Sequence, residues 1–278
     1  MRLFWVLLVL TISATAAEIS FGSLNAFHLF DPSLDRTGVA ASSNRYGFDV
    51  YQRKVENLGG LIAGESLNVV SLQEVGGREE VAALAKACGF QFSFVKGRDT
   101  YTGQNVGILS NVPRGYRLSS AKRVGELDRV LSKHAMVRVS APDSTRPLYA
   151  LAVHLLRPIG ENKARQEAQL KAIGVWADTI LRVEPSAVLV VFGDFNSRDI
   201  SPAGIIRSEQ APVQDVGFKF GSPGTHLDGK PYDRIIVIGD GVKIEGFGVK
   251  RPPYGKRPND TNRLLWSDHF LVHARITY

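Results

Sequence analysis

Nine short runs rich in β-branched and aromatic residues recur along this 278-residue chain, each bounded by Gly, Pro, Asn or Asp. They are ISFGSLNAF, LNVVSLQEV, FQFSFV, NVGILS, HAMVRV, PLYALAVHLL, AVLVVFG, YDRIIVIG and DHFLVHARI. Runs of this length and composition, closed by turn residues, predict strands. Two longer stretches repeat their apolar residues at helical spacing instead. Tyr51, Val55, Leu58 and Ile62 do so in the first, and Leu170, Ile173, Ala177 and Ile180 in the second. A third stretch, REEVAALAKACGF, is helix-like up to Gly89 and holds the single cysteine, Cys88, which reads as a buried structural thiol. Many strands with a few interleaved helices predict a layered sandwich. No charge block, repeat or Ser/Gly-rich linker marks a boundary, so one domain is expected over 18–278.

The ends of the strands carry the chemistry. Asn25 lies in SLNAF, Glu74 in SLQEV, His154 after the apolar run of PLYALAV, and Asp194 with Asn196 in GDFN. Asp233 opens YDRIIV, and Asp268 with His269 introduces the last strand. Each has a plain reading alone: Asp194 and Asn196 also fit an Asx turn, in which such side chains bond nearby backbone. Together they suit phosphodiester hydrolysis. A hard cation neutralises the anionic substrate through oxygen ligands, which Glu74, Asn25 and Asp268 offer. Asp194 and Asn196 can orient a water, and His154 and His269 can meet developing charge. Asp233 is the expected carboxylate partner of His269; Asp99 is a weaker candidate behind His154. His226 is a third histidine set among such residues.

The ordered set LNAF, LQEV, VHL, GDFNSR, YDRIIV, SDHF resembles the endonuclease/exonuclease/phosphatase family, and most of all its deoxyribonuclease-like, secreted bacterial branch. The resemblance implies an α+β fold: a four-layer α/β/β/α sandwich of two face-to-face sheets with helices outside. It implies Glu74, Asn25 and Asp268 as metal ligands for Mg²⁺, with Mn²⁺ or Ca²⁺ as alternatives. His154, Asp194, Asn196, Asp233 and His269 become the catalytic set. One departure stands out. LSKHAMV has no arginine where family nucleases often carry one, so Lys133 or His134 is expected to take over that phosphate contact.

Charge bears on the substrate. The formal net charge is +7, which favours polyanionic partners. Lys250, Arg251, Tyr254, Lys256, Arg257 and Arg263 fall in a Pro-rich stretch just before Asp268, expected as a loop that follows a nucleic-acid backbone. DNA is the expected substrate, RNA a second, and a phospholipid or inositol phosphate the alternative on the same fold. The opening MRLFWVLLVLTISATAAE has the layout of a signal peptide over 1–17, so a secreted or periplasmic, monomeric enzyme without stable membrane association is expected.

Overall fold

A computed structural model describes residues 16–36, 38, 46–142, 144–198, 201–221, 223–253 and 264–278. All nine expected strands form. In chain order the strands are β1 (Glu18–Leu29), β2 (Val69–Val75), β3 (Gln91–Phe94), β4 (Asn105–Ser110), β5 (Arg117–Leu118) and β6 (His134–Ser140). They continue with β7 (Leu148–His154), β8 (Val188–Asp194), β9 (Val213–Asp215), β10 (Asp233–Ile238), β11 (Lys243–Lys250) and β12 (Leu271–Thr277). The helices are α1 (Phe48–Ala63), α2 (Arg78–Cys88), α3 (Asn162–Val183) and a short α4 (Val216–Lys219). One sheet runs β11-β12-β1-β2-β4-β3 and the other β5-β6-β7-β8-β10-β9.

Each sheet has one parallel pair at its centre, β1 with β2 and β7 with β8, and is antiparallel elsewhere. A parallel pair needs a long crossover, usually a helix. Helix α1 supplies the first and α3 the second, which is why the two long helical patterns fall where they do. The strands of such pairs are covered on both faces and read as unbroken apolar runs. In β8, Val188, Val190 and Phe192 enter the core between the sheets, while Leu189 and Val191 pack beneath α3. Phe21 of β1 meets Phe192 edge-on across the sheets, with ring centres 5.4 Å apart. A third cluster lies between the first sheet and α1 and α2, with Leu24, Leu58, Leu72 and Leu84 fully buried. Three apolar layers therefore separate four layers of structure, as expected.

Gly89 ends α2 in the left-handed conformation, at φ 73°, and Cys88 is buried behind it. Burial raises the Cys88 thiol above its ordinary value, consistent with a packing role. Three strands have no sequence counterpart above: β5, β9 and β11 all lie at or beside sheet edges, and Gly246 and Gly248 dilute the pattern of β11. The 250–263 stretch also begins differently from expectation. Lys250 is the last residue of β11, paired with Leu271, so it belongs to a strand and not to the loop. Among the described residues, no helix is long and apolar enough to cross a membrane.

Candidate active site

Strand register assembles the site. His154 sits opposite Asp194 in the parallel pair, and Asp194 opposite Asp233 in the antiparallel one, so three strands of one sheet end side by side. In the other sheet, Asn25 pairs with Gln73, beside Glu74. These ends open on a cleft of about 240 Å³ lined by Glu74, His154, Asp194, Asn196, Asp268 and His269. Phe27, His28, Arg157, His226, Asp228 and Tyr232 complete its walls.

The backbone here is held in costly conformations. Among the described residues, the four non-glycine residues with positive φ are Phe27 (47°), His28 (54°), Glu74 (57°) and Asn196 (50°), and all four line the cleft. Such conformations persist only where surroundings over-determine them. The Phe27 and His28 carbonyls accept from Lys54 Nζ and the Tyr46 hydroxyl, and Ser267 Oγ donates to the Asn25 carbonyl at 2.6 Å. Gly193 gives the other kind of constraint: at φ 154°, a Cβ there would lie 2.0 Å from the Val153 carbonyl oxygen. The glycine of GDFN lets β8 pass β7 closely enough to seat Asp194.

Asp194 is almost wholly buried and fully engaged. Its Oδ1 accepts from the Asn196 backbone at 2.7 Å, and its Oδ2 accepts from Asn25 Nδ2 at 3.0 Å. The Asx turn and the site are therefore one feature. Strand β8 ends at Asp194, so Asn196 reaches the cleft through the turn and not through strand alternation. Its Nδ2 donates to the Leu155 carbonyl at 3.0 Å, which leaves the amide oxygen able to accept from a water. Asn25 is engaged at both ends of its amide. Its Oδ1 accepts from Phe27 N at 2.9 Å, while Nδ2 also donates to Glu74 Oε1 at 3.0 Å. Asn25 thus spaces and orients two carboxylates through Nδ2, while its oxygen holds the Phe27 backbone and keeps a second lone pair.

The two histidines stand on either side of Asp194 Oδ2, His154 Nε2 at 3.6 Å and His269 Nε2 at 3.9 Å. Their environments differ. Burial, then Lys133 and His269, press His154 well below its ordinary value, so it is neutral. For His269, burial also opposes charge, but Asp233 outweighs it and the ring is pushed up to about 10. His269 Nδ1 donates to Asp233 Oδ2 at 2.8 Å, and Thr225 Oγ1 donates to the same oxygen at 2.8 Å. Burial, reinforced by Asp233, raises the Asp194 carboxyl above the usual carboxylate range, against the pull of His269. A neutral and a protonated histidine flanking one carboxylate separate the acid from its neighbours.

Asp99, the weaker candidate, does not stand behind His154. Asp99 accepts from Tyr101 N and Thr102 N, each at 3.0 Å, and pairs with Lys133 at 3.4 Å, and His154 Nδ1 is buried without a hydrogen bond. Lys133 also donates to Gln104 at 3.3 Å and does not line the cleft. His134 is internal: its Nε2 accepts from Val124 N at 3.0 Å and its Nδ1 faces the Leu131 carbonyl at 3.1 Å. Neither lines the cleft, whereas Arg157, three residues past His154, does. Lys250 pairs with Glu65 at 3.1 Å, and Arg251 lies 5.1 Å from the centre of the Phe270 ring, beside His269. Tyr254, Lys256, Arg257 and Arg263 lie outside the described residues.

Residues that the sequence reading passed over include Arg157, Asp228 and Tyr232. His226 Nε2 is 3.5 Å from Asp268 Oδ2 and its Nδ1 2.9 Å from Asp228 Oδ1, while Tyr232 donates to Asp228 at 2.8 Å. Among the described residues, two groups bring metal-ligating atoms within 4.8 Å of one another: Glu74, His154 and Asp194, and His226, Asp268 and His269.

No protein-family model matches the chain, and no curated protein sequence does. Solved structures do. An endonuclease/exonuclease/phosphatase family protein from Bacteroides thetaiotaomicron aligns at a TM-score of 0.65 and 12% identity, over 95% of this chain and 98% of its own. The human Nocturnin catalytic domain, with bound sulfate anion, aligns at 0.65 and 14% identity, over 94% and 95%. TDP2 from D. rerio, complexed with single strand DNA product, aligns at 0.64 and 18% identity, over 94% and 100%. The chain thus has the fold of the endonuclease/exonuclease/phosphatase superfamily over nearly its whole described length.

Proposed function

We propose that this protein is a divalent-metal-dependent phosphodiesterase, and specifically a low-specificity endonuclease that hydrolyses DNA. The observation that carries the reading is the division of labour around Asp194. A carboxylate with raised proton affinity stands between a neutral imidazole and a protonated one, at the floor of a cleft walled by further carboxylates. Proton transfer by groups poised in this way contributes about 10²–10⁴ in rate.

The donor set fits a hard cation. Glu74 and Asp268 bring carboxylate oxygens to the cleft, and Mg²⁺ binds through one or two carboxylates and its own waters. When bound, the ion would neutralise phosphate charge and stabilise the developing transition state. Asp194 takes the proton of a water held at the Asn196 amide oxygen. His269, fixed by Asp233, gives its proton to the leaving oxygen. His154, neutral, donates to a phosphoryl oxygen through Nε2, and Arg157 meets the phosphate from the cleft wall.

DNA is favoured by the net charge of +7 and by Arg157 in the cleft wall. The DNA product bound to the D. rerio TDP2 neighbour supports a nucleic-acid substrate. Contacts of this kind reach phosphates, so sequence preference is expected to be low. The first 17 residues support export to the periplasm or medium. The test is a substrate panel with Mg²⁺: duplex DNA, single-stranded DNA, RNA, sphingomyelin and an inositol phosphate. Turnover is expected on DNA; turnover on a lipid or inositol phosphate with none on nucleic acid would contradict the assignment.

A further inference from the structure

Lysine is almost never fully buried unless paired. Lys54 of α1 is fully buried, in the wall behind the cleft. Its ammonium donates to the Phe27 carbonyl and lies 5.2 Å and 5.8 Å from the centres of the Phe27 and Tyr46 rings. Its hydrogen bond thus goes to a neutral group. The charges that act on it are Asp268 and Glu74, the two carboxylates proposed to hold the cation. An unpaired buried ammonium costs several kcal/mol, so packing alone is a poor reason to keep one here. A methionine would fill the same space beside two aromatic rings.

Resting on the phosphodiesterase reading, we infer that Lys54 is a positioning residue with two linked effects: it anchors the left-handed Phe27–His28 turn and serves as a fixed counter-cation to Glu74 and Asp268. Through the first it holds the His28 backbone, whose N–H donates to Glu74 Oε2 at 3.2 Å. Through the second it offsets the mutual repulsion of the acidic wall before a metal arrives and competes with the metal afterwards. Below about pH 7, where the Lys54 ammonium carries its charge, the cleft thereby binds its ion weakly and in one arrangement.

The two effects have opposite signs in metal binding. Loss of an anchor loosens the site and weakens binding. Loss of a like charge behind the ligands strengthens it, about tenfold or more at the effective dielectric of protein interiors. Mn²⁺ binding without substrate, followed by the paramagnetic resonance of the free ion, separates them. It is measured below the value of about 7 to which burial lowers the Lys54 ammonium. Lys54→Gln keeps a donor for the Phe27 carbonyl and removes the charge; Lys54→Met removes both; Lys54→Arg keeps the charge; Glu74→Gln reports on the site itself.

Glu74→Gln is expected to weaken binding at least tenfold, Lys54→Gln to tighten it about tenfold, and Lys54→Arg to stay near wild type. Should Lys54→Met not fold, Lys54→Gln carries the comparison. Glu74-dependent binding that is unchanged or weaker in Lys54→Gln overturns the counter-cation role alone. A wild-type protein that binds no Mn²⁺ overturns both this inference and the proposed function.

Discussion

Replacing Asp233 by Asn tests the acid assigned to His269 without changing the shape of the site. The ring is held up to about 10 against an ordinary 6.5, a gap of roughly three and a half pH units. At 1.36 kcal/mol per unit, that is ~5 kcal/mol favouring the imidazolium. Orphaning one member of a buried ion pair costs ~3–5 kcal/mol, a comparable size. In Asp233→Asn the burial that opposes charge remains, and the bond that outweighed it loses its charge. His269 is expected to titrate at or below 6.5, the ordinary imidazole value. The C2 proton resonance of His269, assigned by comparison with His269→Gln, measures this without a substrate. The pair's contribution to stability has a definite sign. It is complete below 6.5, the ordinary value, and is lost as pH rises towards about 10. Unfolding free energies of wild type and variant should therefore differ most on the acid side and converge on the alkaline side. If His269 is the acid, the alkaline limb of kcat/KM moves down with its titration, and activity at about pH 8 falls ~30-fold or more. An unchanged His269 titration in Asp233→Asn would refute the reasoning.

Two other substitutions test the architecture. In Gly193→Ala, a Cβ lying 2.0 Å from the Val153 carbonyl cannot be accommodated without parting β7 from β8. A loss above ~4 kcal/mol is expected in urea unfolding, together with loss of turnover. His134→Ala orphans Val124 N and the Leu131 carbonyl and should cost ~1–3 kcal/mol, with kcat/KM of the folded fraction unchanged. Burial lowers His134 to about 4, so wild-type stability falls as pH drops from 6.5 towards 4. That acid-side loss should shrink in the variant, as equilibrium unfolding across this range would show.

Legibility in the sequence followed the physical cause of each feature. Strands packed on both faces, such as β8, announce themselves as apolar runs with little else to be. An edge strand such as β11 does not, because solvent on one side admits Lys243, Glu245 and Gly246. Site residues at strand ends, from Glu74 to His269, were readable because register converts sequence position into spatial proximity. The role of Asn25 was not, since it depends on which end of its amide meets Phe27 N. Lys133 and His134 were offered as phosphate contacts because they stand where the resembling nucleases carry an arginine, while internal partners decide their placement. Arg157 and Tyr232 reach the cleft from loops, whose paths no periodicity predicts. Lys54 sat inside a helical pattern where its burial is invisible until the helix docks.

The proposed function treats this cleft as a metal-dependent phosphodiesterase site centred on Asp194 and His269. Nicking of supercoiled plasmid by the mature protein, with Mg²⁺ or with EDTA and beside a folded His269→Ala variant, tests it most directly. Nicking is expected with Mg²⁺, abolished by EDTA and absent from the variant. Nicking that persists in EDTA, or at wild-type rate in His269→Ala, would contradict it.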